Sequence, residues 1–284
     1  LRWRGDASVL EIFTTTTGGS DSVIASKSKA MSTTSYTAEI IVIGNLVLGY
    51  IDDVLELGAA QSTITDTGKP GWLQDDSNGA SISDAVRLDR LLVRDLEGMW
   101  GGQVAASEDD ARELSGTVSI TVGSSGVIDG TDEYIGLRFQ NVTIPQGSTV
   151  TNAFVVVNIT GTGDDEPLHT IYCEAADNAS AYTTGTNNIS GRSPTSSVVT
   201  WDVADLGAAA NTLWPTSNIS GPVGEVVARS GFSSGNSIAV IIRGGSDGNR
   251  DLNINFYDGN TLRAAGMIVE YAVPSQSNAP RSSY

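Results

Sequence analysis

Two strand-like runs between residues 134 and 159 constrain the fold of this chain more than any other segment. Over residues 135–140 apolar residues occupy every second position, which is the period expected of a half-buried strand. A proline-glycine turn follows at residues 145–147. Residues 153–157 are then almost continuously apolar, which predicts a strand covered on both faces. The segment predicts part of a β-sheet scaffold and contains no set of residues typical of a catalytic site. Functional residues are therefore expected on exposed surfaces and in loops.

The second half of the chain carries many further strand-like runs separated by turn residues, a pattern typical of a sandwich or barrel. One exception is residues 220–231, where Ser220, an early proline and a terminal glycine predict a short helix. The strands are expected near residues 117–122, 134–142, 149–159, 168–175, 197–201, 237–243, 252–257 and 265–272.

The first part of the chain predicts a smaller β unit. Residues 36–57 form three apolar runs separated by Gly44-Asn45 and Asp52-Asp53, which predicts a three-stranded meander. Residues 85–96 predict one more strand, with a helix as the alternative.

These patterns predict an all-β fold with two β-sandwich or jelly-roll-like units, the second with one short helix. A length of 284 residues also suits two domains. The predicted boundaries are residues 1–96 for the first unit, 97–114 for a connector, 115–273 for the second unit and 274–284 for a polar tail. In the connector, Ser107 followed by Asp110 can cap one or two helical turns.

The first unit resembles the later half of a concanavalin-like, laminin-G-type jelly roll. The matching elements are a strand at residues 40–43, the Gly44-Asn45 turn, Gly49-Tyr50-Ile51-Asp52 and a closing strand at residues 86–95. The chain has Asp52-Asp53 where that family has an Asp-Gly turn. The resemblance implies half a sandwich with unpaired edges, so we expect it to dock on another polypeptide or on a preceding portion of a longer protein.

The second unit resembles the DNRLRE domain, a carbohydrate-binding-like β-sandwich of bacterial and archaeal surface proteins that also occurs beside polysaccharide-degrading enzymes. At the position of the name motif the chain has only a partial match, residues 247–253. The resemblance implies a sandwich fold more than a particular binding site. The elements that carry it, in order, are residues 136–139, 144–150, 198–201, 223–229, 231–232, 234–237 and 267–271.

Charge and composition exclude several classes of partner. The formal net charge is -17 with only three lysines, Lys27, Lys29 and Lys69, which argues against nucleic acid and anionic membrane surfaces. No apolar run approaches the roughly 20 residues of a membrane helix, so membrane insertion is not expected. Cys173 is the single cysteine and lies in a strand-like context, which predicts a buried, inert thiol.

The residues that nucleophilic and zinc enzymes require are sparse. His169 is the single histidine and lies in a strand pattern, which favours a structural or surface histidine over a catalytic or metal-binding one. The chain has no phosphate loop and no Cys-x-x-Cys pair. A glycosidase needs only two carboxylates, but the acids here fall mainly in turns, where Asp is common. We therefore predict that the chain is not an enzyme.

One acidic loop has the spacing of a calcium site. Asp247, Asn249 and Asp251 alternate in a glycine-rich stretch, as oxygen ligands at the start of a calcium loop do, but Leu252 stands where an EF-hand needs glycine. Residues 129–133 and 164–166 form two more acidic loops. Calcium is therefore the only cofactor that the sequence suggests, with ordinary solvated turns as the alternative.

Glycan recognition would need exposed aromatic rings beside polar side chains. Trp72 and Trp214 stand beside Gly71 and Pro215 near loop boundaries, and Tyr182 lies in a polar loop. These three residues are the predicted sugar platforms. Trp201 ends an apolar strand and is assigned to the core.

Together these features predict a non-enzymatic, surface-displayed protein with a structural and adhesive role in a virion, such as a phage tail or capsid surface, or in an extracellular assembly. Its expected partners are other chains of the assembly or the preceding portion of its own polypeptide, with surface glycan as a further partner. A secreted glycan-binding module is the alternative, and attachment to a polysaccharide-degrading enzyme comes third.

Overall fold

The computed structural model describes residues 2–4, 9–15, 21–28, 38–43, 46–52, 54–60, 73–75, 98–123, 126–128, 130–162, 168–202, 212–245 and 252–274. Within these ranges the chain is built from β-strands with one α-helix, α1 (Ser220–Val227), which confirms the predicted all-β class. The strands are β1 (Arg2–Arg4), β2 (Val9–Thr15), β3 (Asp21–Ser28), β4 (Ala38–Ile43), β5 (Leu46–Ile51), β6 (Val54–Ala60), β7 (Leu73–Asp75), β8 (Met99–Gln103), β9 (Asp110–Leu114), β10 (Thr117–Ser119), β11 (Gly126–Ile128), β12 (Glu133–Val142), β13 (Thr149–Thr162), β14 (Leu168–Cys173), β15 (Val199–Asp202), β16 (Thr212–Pro215), β17 (Asn236–Arg243), β18 (Leu252–Ile254) and β19 (Gly266–Ala272).

The strands form four sheets. Sheet I has the order β3-β2-β1-β7, and sheet II is the meander β4-β5-β6 that residues 36–57 predicted. Sheet III has the order β11-β18-β13-β19-β8, with β16 along the other edge of β13. Sheet IV has the order β10-β9-β12-β17-β14-β15.

Sheets III and IV enclose the main hydrophobic core. The alternating residues of β12 point into it, as Ile135, Leu137 and Phe139 do, and Val155 and Val157 of β13 meet them from sheet III. Each fully buried side chain of this size contributes about 1.5–3 kcal/mol to stability. Helix α1 closes the core with Val223, Val226 and Val227.

The outer face of sheet III is covered by sheet II. Leu46 and Leu48 of β5 pack on Val156 of β13, Leu213 of β16 and Ile268 of β19. The prediction that residues 153–157 are covered on both faces is therefore confirmed.

Strand β5 is itself buried on both faces. While Leu46 and Leu48 face sheet III, the intervening Val47 packs on Leu10 and Ile12 of sheet I. Because side chains alternate along a strand, sheet II serves as a middle layer and the described sheets stack in the order I, II, III, IV. The further polypeptide predicted to cover the first unit stays a prediction, although one face of sheet II packs on the second unit of the same chain.

Residues 97–114 differ from the predicted connector. Strand β8 pairs with β19 in sheet III, and β9 pairs with β12 in sheet IV, so this segment belongs to the second unit. The predicted helical turn is present as a 3-10 turn at Ser107–Asp109. Strand β9 carries charged residues on both faces, and the hydrophobic alternation that reveals strands is therefore missing from it.

Helix α1 begins at the predicted Ser220, but its N-cap residue is Ile219, which makes no side-chain cap. Instead the Asn218 side chain accepts a hydrogen bond from the Ser220 backbone N–H at 2.9 Å. The first-unit strand predicted at residues 85–96 and the tail after residue 274 lie outside the described residues.

Candidate functional site

The strongest candidate site is a cleft where β9 and β10 form the edge of sheet IV. It has a volume of about 420 Å³, within the usual range of ligand pockets. Its walls combine one guanidinium, two hydroxyl groups and two apolar side chains, from Arg112, Thr117, Ser119, Leu114 and Val122.

The strand register explains why these side chains converge. Arg112 lies opposite Ser119 on β10 and opposite Ile135 on β12, while Leu114 lies opposite Thr117. Paired residues of neighbouring strands project to the same face. Because Ile135 belongs to the core between sheets III and IV, this face is the inner face of the sandwich at its open edge.

Arg112 gives the cleft its chemical character. Its Nε atom is buried and has no hydrogen-bond partner among the described residues. A guanidinium group offers several N–H donors in a planar fork that matches a carboxylate. The cleft therefore combines a cationic donor with hydroxyl groups and a small apolar wall.

Asp110 lies on the same face of β9, two residues before Arg112. Its Oδ2 accepts a hydrogen bond from the Tyr257 backbone N–H at 2.7 Å, and its Oδ1 is buried without a partner among the described residues. Burial raises the pKa of this carboxyl group to about 7, and the nearby Asp258 and Asp109 add to the increase. Asp110 is therefore protonated over much of the acidic pH range.

Asp109 is also buried but is neutralised by a cation. It accepts hydrogen bonds from Arg138 Nη1 and from Gln140 Nε2, and it forms an ion pair with Arg138. Arg138 Nε also donates to the Ala179 carbonyl at 2.8 Å, so the pair ties β12 to two other segments.

Glu113, the third buried acid, anchors a long loop over the outer face of sheet IV. Its carboxylate accepts hydrogen bonds from the backbone N–H groups of Ile189 and Ser190 and from the Ser190 hydroxyl. The loop adds a small apolar cluster that includes Tyr182 and Ile189. Glu113 thus has a structural role.

The structure contradicts the prediction that Tyr182 is a sugar platform. Tyr182 is 1% exposed, and its ring lies against Gly136, where a Cβ atom would overlap it. The Arg192 guanidinium lies over the ring, 4.1 Å from its centroid. Because the side chain is buried, no face of the ring is left to stack on a sugar.

The other predicted sugar platforms have different outcomes. Trp214 is half-buried and packs against the core between sheets III and IV, opposite Val157 in the ladder, so its ring is not a flat exposed surface. Trp72 lies outside the described residues. Trp201 is 2% exposed in the core, as predicted.

The predicted calcium ligands Asp247, Asn249 and Asp251 also lie outside the described residues, so calcium binding stays a prediction. Within the described ranges, no group of three or more His, Cys, Asp or Glu side chains is arranged to hold a metal ion.

Cys173 occupies the buried position predicted for it, and His169 is buried rather than at the surface, the other position that the sequence left open. His169 is fully buried beside Trp201, with ring centroids 6.1 Å apart, and burial lowers its pKa to about 4. Cys173 is also fully buried, and burial raises the pKa of its thiol. Neither side chain is available as a base or nucleophile at neutral pH.

The sequence did not indicate Arg112 or Asp110 as site residues. Their segment was interpreted as a connector because acids and a cation follow one another without a hydrophobic period. The available signal was the i, i+2 spacing of Asp110, Arg112 and Leu114, which places all three on one face once the segment is known to be a strand.

Comparison with known proteins identifies no relative that defines a family. No family model and no curated protein matches the chain. Part of this chain is similar to a solved structure, the crystal structure of exo-beta-1,3-galactanase from Phanerochaete chrysosporium with galactose, at 11% sequence identity and a TM-score of 0.26. The match covers 60% of this chain and 29% of the galactanase chain, and we draw no functional conclusion from it. In the described part of the chain, no helix has the length and apolar character needed to cross a membrane.

Proposed function

We propose that this chain is a non-catalytic structural and adhesive protein displayed on a virion or in an extracellular assembly. The observation that supports this most is the stack of four sheets, in which both faces of β5 are buried against neighbouring layers. Such a stack holds the two units in a fixed arrangement, as a structural component of a surface requires. The buried acids Asp109 and Glu113 serve the same end, because they fasten loops to sheet IV.

The proposal is tested by locating the protein on intact material from its source. Antibodies raised against the purified chain should label the outer surface of intact particles or cells in electron micrographs. An antibody against an intracellular protein provides the control and should label only opened samples. Labelling of this chain only after lysis would contradict surface display.

A glycan-binding module is the second candidate function. The observation that favours it is the cleft at the β9–β10 edge, where a guanidinium and two hydroxyl groups adjoin an apolar wall. Polar groups around a partly apolar surface are typical of sites that orient small ligands. Retention on an immobilised glycan would support this function, whereas release of reducing ends would indicate an enzyme.

A further inference from the structure

We propose that the cleft at the β9–β10 edge binds the carboxylate of an acidic monosaccharide unit, with Arg112 as the residue that recognises the charge. This inference rests on the second candidate function, glycan binding, and names the class of sugar. Its test measures binding of a ligand, so its failure is distinguishable from failure of the surface-display proposal, which is tested by location.

Arg112 lines the cleft, and its guanidinium has a buried donor without a partner among the described residues. A buried N–H group without a partner costs stability, and a charged guanidinium costs more. Arg112 Nε is such a group among the described residues, whereas Arg138 and Arg192 each pair with an acid. Because Nε itself is closed to solvent, a ligand carboxylate would meet the guanidinium through its Nη groups and supply the counter-ion that Arg112 lacks among the described residues.

The surroundings of Arg112 indicate the rest of the ligand. Thr117 and Ser119 are exposed at the rim and offer hydroxyl groups that can donate and accept. Leu114 and Val122 offer a small apolar surface, suited to the C–H groups of a sugar ring. A carboxylate flanked by hydroxyl groups on a compact ring, as in a hexuronic acid, matches all three features.

Two acids limit what the cleft can accept. Asp110 lies two residues before Arg112 on the same face, and Glu133 lies opposite Leu114 in the ladder. Glu133, and Asp110 in its ionised form, would repel a ligand with several negative charges. A single carboxylate fits this balance better than a phosphate monoester, which carries up to two negative charges.

The test is a titration of the full chain with galacturonic acid and, separately, with glucuronic acid in 0.15 M salt. The backbone amide chemical shifts are recorded by NMR at each step of the titration. We expect saturable shifts in β9 and β10 for at least one of the two acids. The methyl ester of that sugar should bind roughly 10-fold to 100-fold more weakly, because a charged hydrogen bond contributes about 1.5–3 kcal/mol.

Variants of the chain separate the role of Arg112 from a change in overall charge. Arg112→Gln should lose roughly tenfold or more in affinity, and Arg112→Lys should fall between it and the native chain. Arg229→Gln is the matched control, because it removes one positive charge from an ion pair whose side chains are 38% and 46% exposed. It should bind the sugar as the native chain does.

Several outcomes would overturn the inference. They are equal binding of the acid and its ester, unchanged affinity in Arg112→Gln, or absence of saturable shifts in β9 and β10. Tighter binding of N-acetylglutamate amide would assign the cleft to a peptide carboxylate instead. If Arg112→Gln fails to fold, the comparison of acid with ester on the native chain still decides.

Discussion

Replacing Asp109 with alanine is expected to lower the free energy of unfolding by about 3–5 kcal/mol. Asp109 is 1% exposed and balances the charge of Arg138, whose side chain is 15% exposed. Removing the carboxylate leaves the Arg138 guanidinium without its counter-ion and Gln140 without an acceptor. Denaturant unfolding followed by tryptophan fluorescence measures the change.

An exposed ion pair provides the matched control. Asp177 and Arg229 form the same type of contact at 2.6 Å, but their side chains are 46% and 38% exposed. Because water screens such pairs, Asp177→Ala should cost at most about 1 kcal/mol. The double variant Asp109→Leu with Arg138→Met should be more stable than Asp109→Ala, since it leaves no buried charge unpaired. Equal losses in the buried and exposed pairs would contradict this account of Asp109.

Asp110 is expected to lower the stability of the folded chain progressively as pH rises from about 4 to 8, because it must ionise while buried. Its pKa is about 7 in the folded chain against an ordinary value of 3.8. The folded state therefore holds the proton that the unfolded state has released, and stability decreases with pH across this window. The change corresponds to roughly 4 kcal/mol.

The comparison with Asp110→Asn isolates this effect from the other titrating groups. The variant should match the native chain near pH 4 and exceed its stability by roughly 4 kcal/mol at pH 8. For Glu225→Gln the pH dependence should have the opposite sign: this variant should be less stable than the native chain at neutral pH, and the difference should shrink as pH falls. The backbone N–H groups of Ser196 and Ser197 hold the pKa of Glu225 below its usual range, so its contribution is lost as pH falls. A stability difference between Asp110→Asn and the native chain that does not change with pH would refute the assignment.

Much of the fold followed from hydrophobic periodicity. The predicted pair at residues 134–159 corresponds to β12 and β13, and the meander of sheet II is where the apolar runs placed it. These strands can be predicted from the sequence because one or both of their faces pack on a core. Their apolar residues therefore either alternate with period two or form a continuous run. Strand β9 was not predicted, because its acids Asp110 and Glu113 are buried through hydrogen bonds from backbone N–H groups rather than excluded from the interior.

The candidate site was less predictable for a related reason. Tyr182 lies in a polar loop of the sequence, but Glu113 pins that loop to sheet IV and the ring turns inward against Gly136. Conversely, Arg112 is recognised as a cleft residue only from its strand pairing, opposite Ser119 on one side and Ile135 on the other. A local sequence pattern shows which residues are apolar. Which polar side chains lie next to each other depends on the pairing register between strands, which the local pattern does not show.

The proposed scaffold role depends most on the two units unfolding as one body, and differential scanning calorimetry tests this directly. The account predicts one cooperative transition for the full chain, with calorimetric and van't Hoff enthalpies in agreement. Leu213→Asp, at a position 4% exposed between sheets II and III, should split the transition, whereas Leu168→Asp, at a position 47% exposed, should not. Two separate transitions in the native chain would contradict the continuous stack.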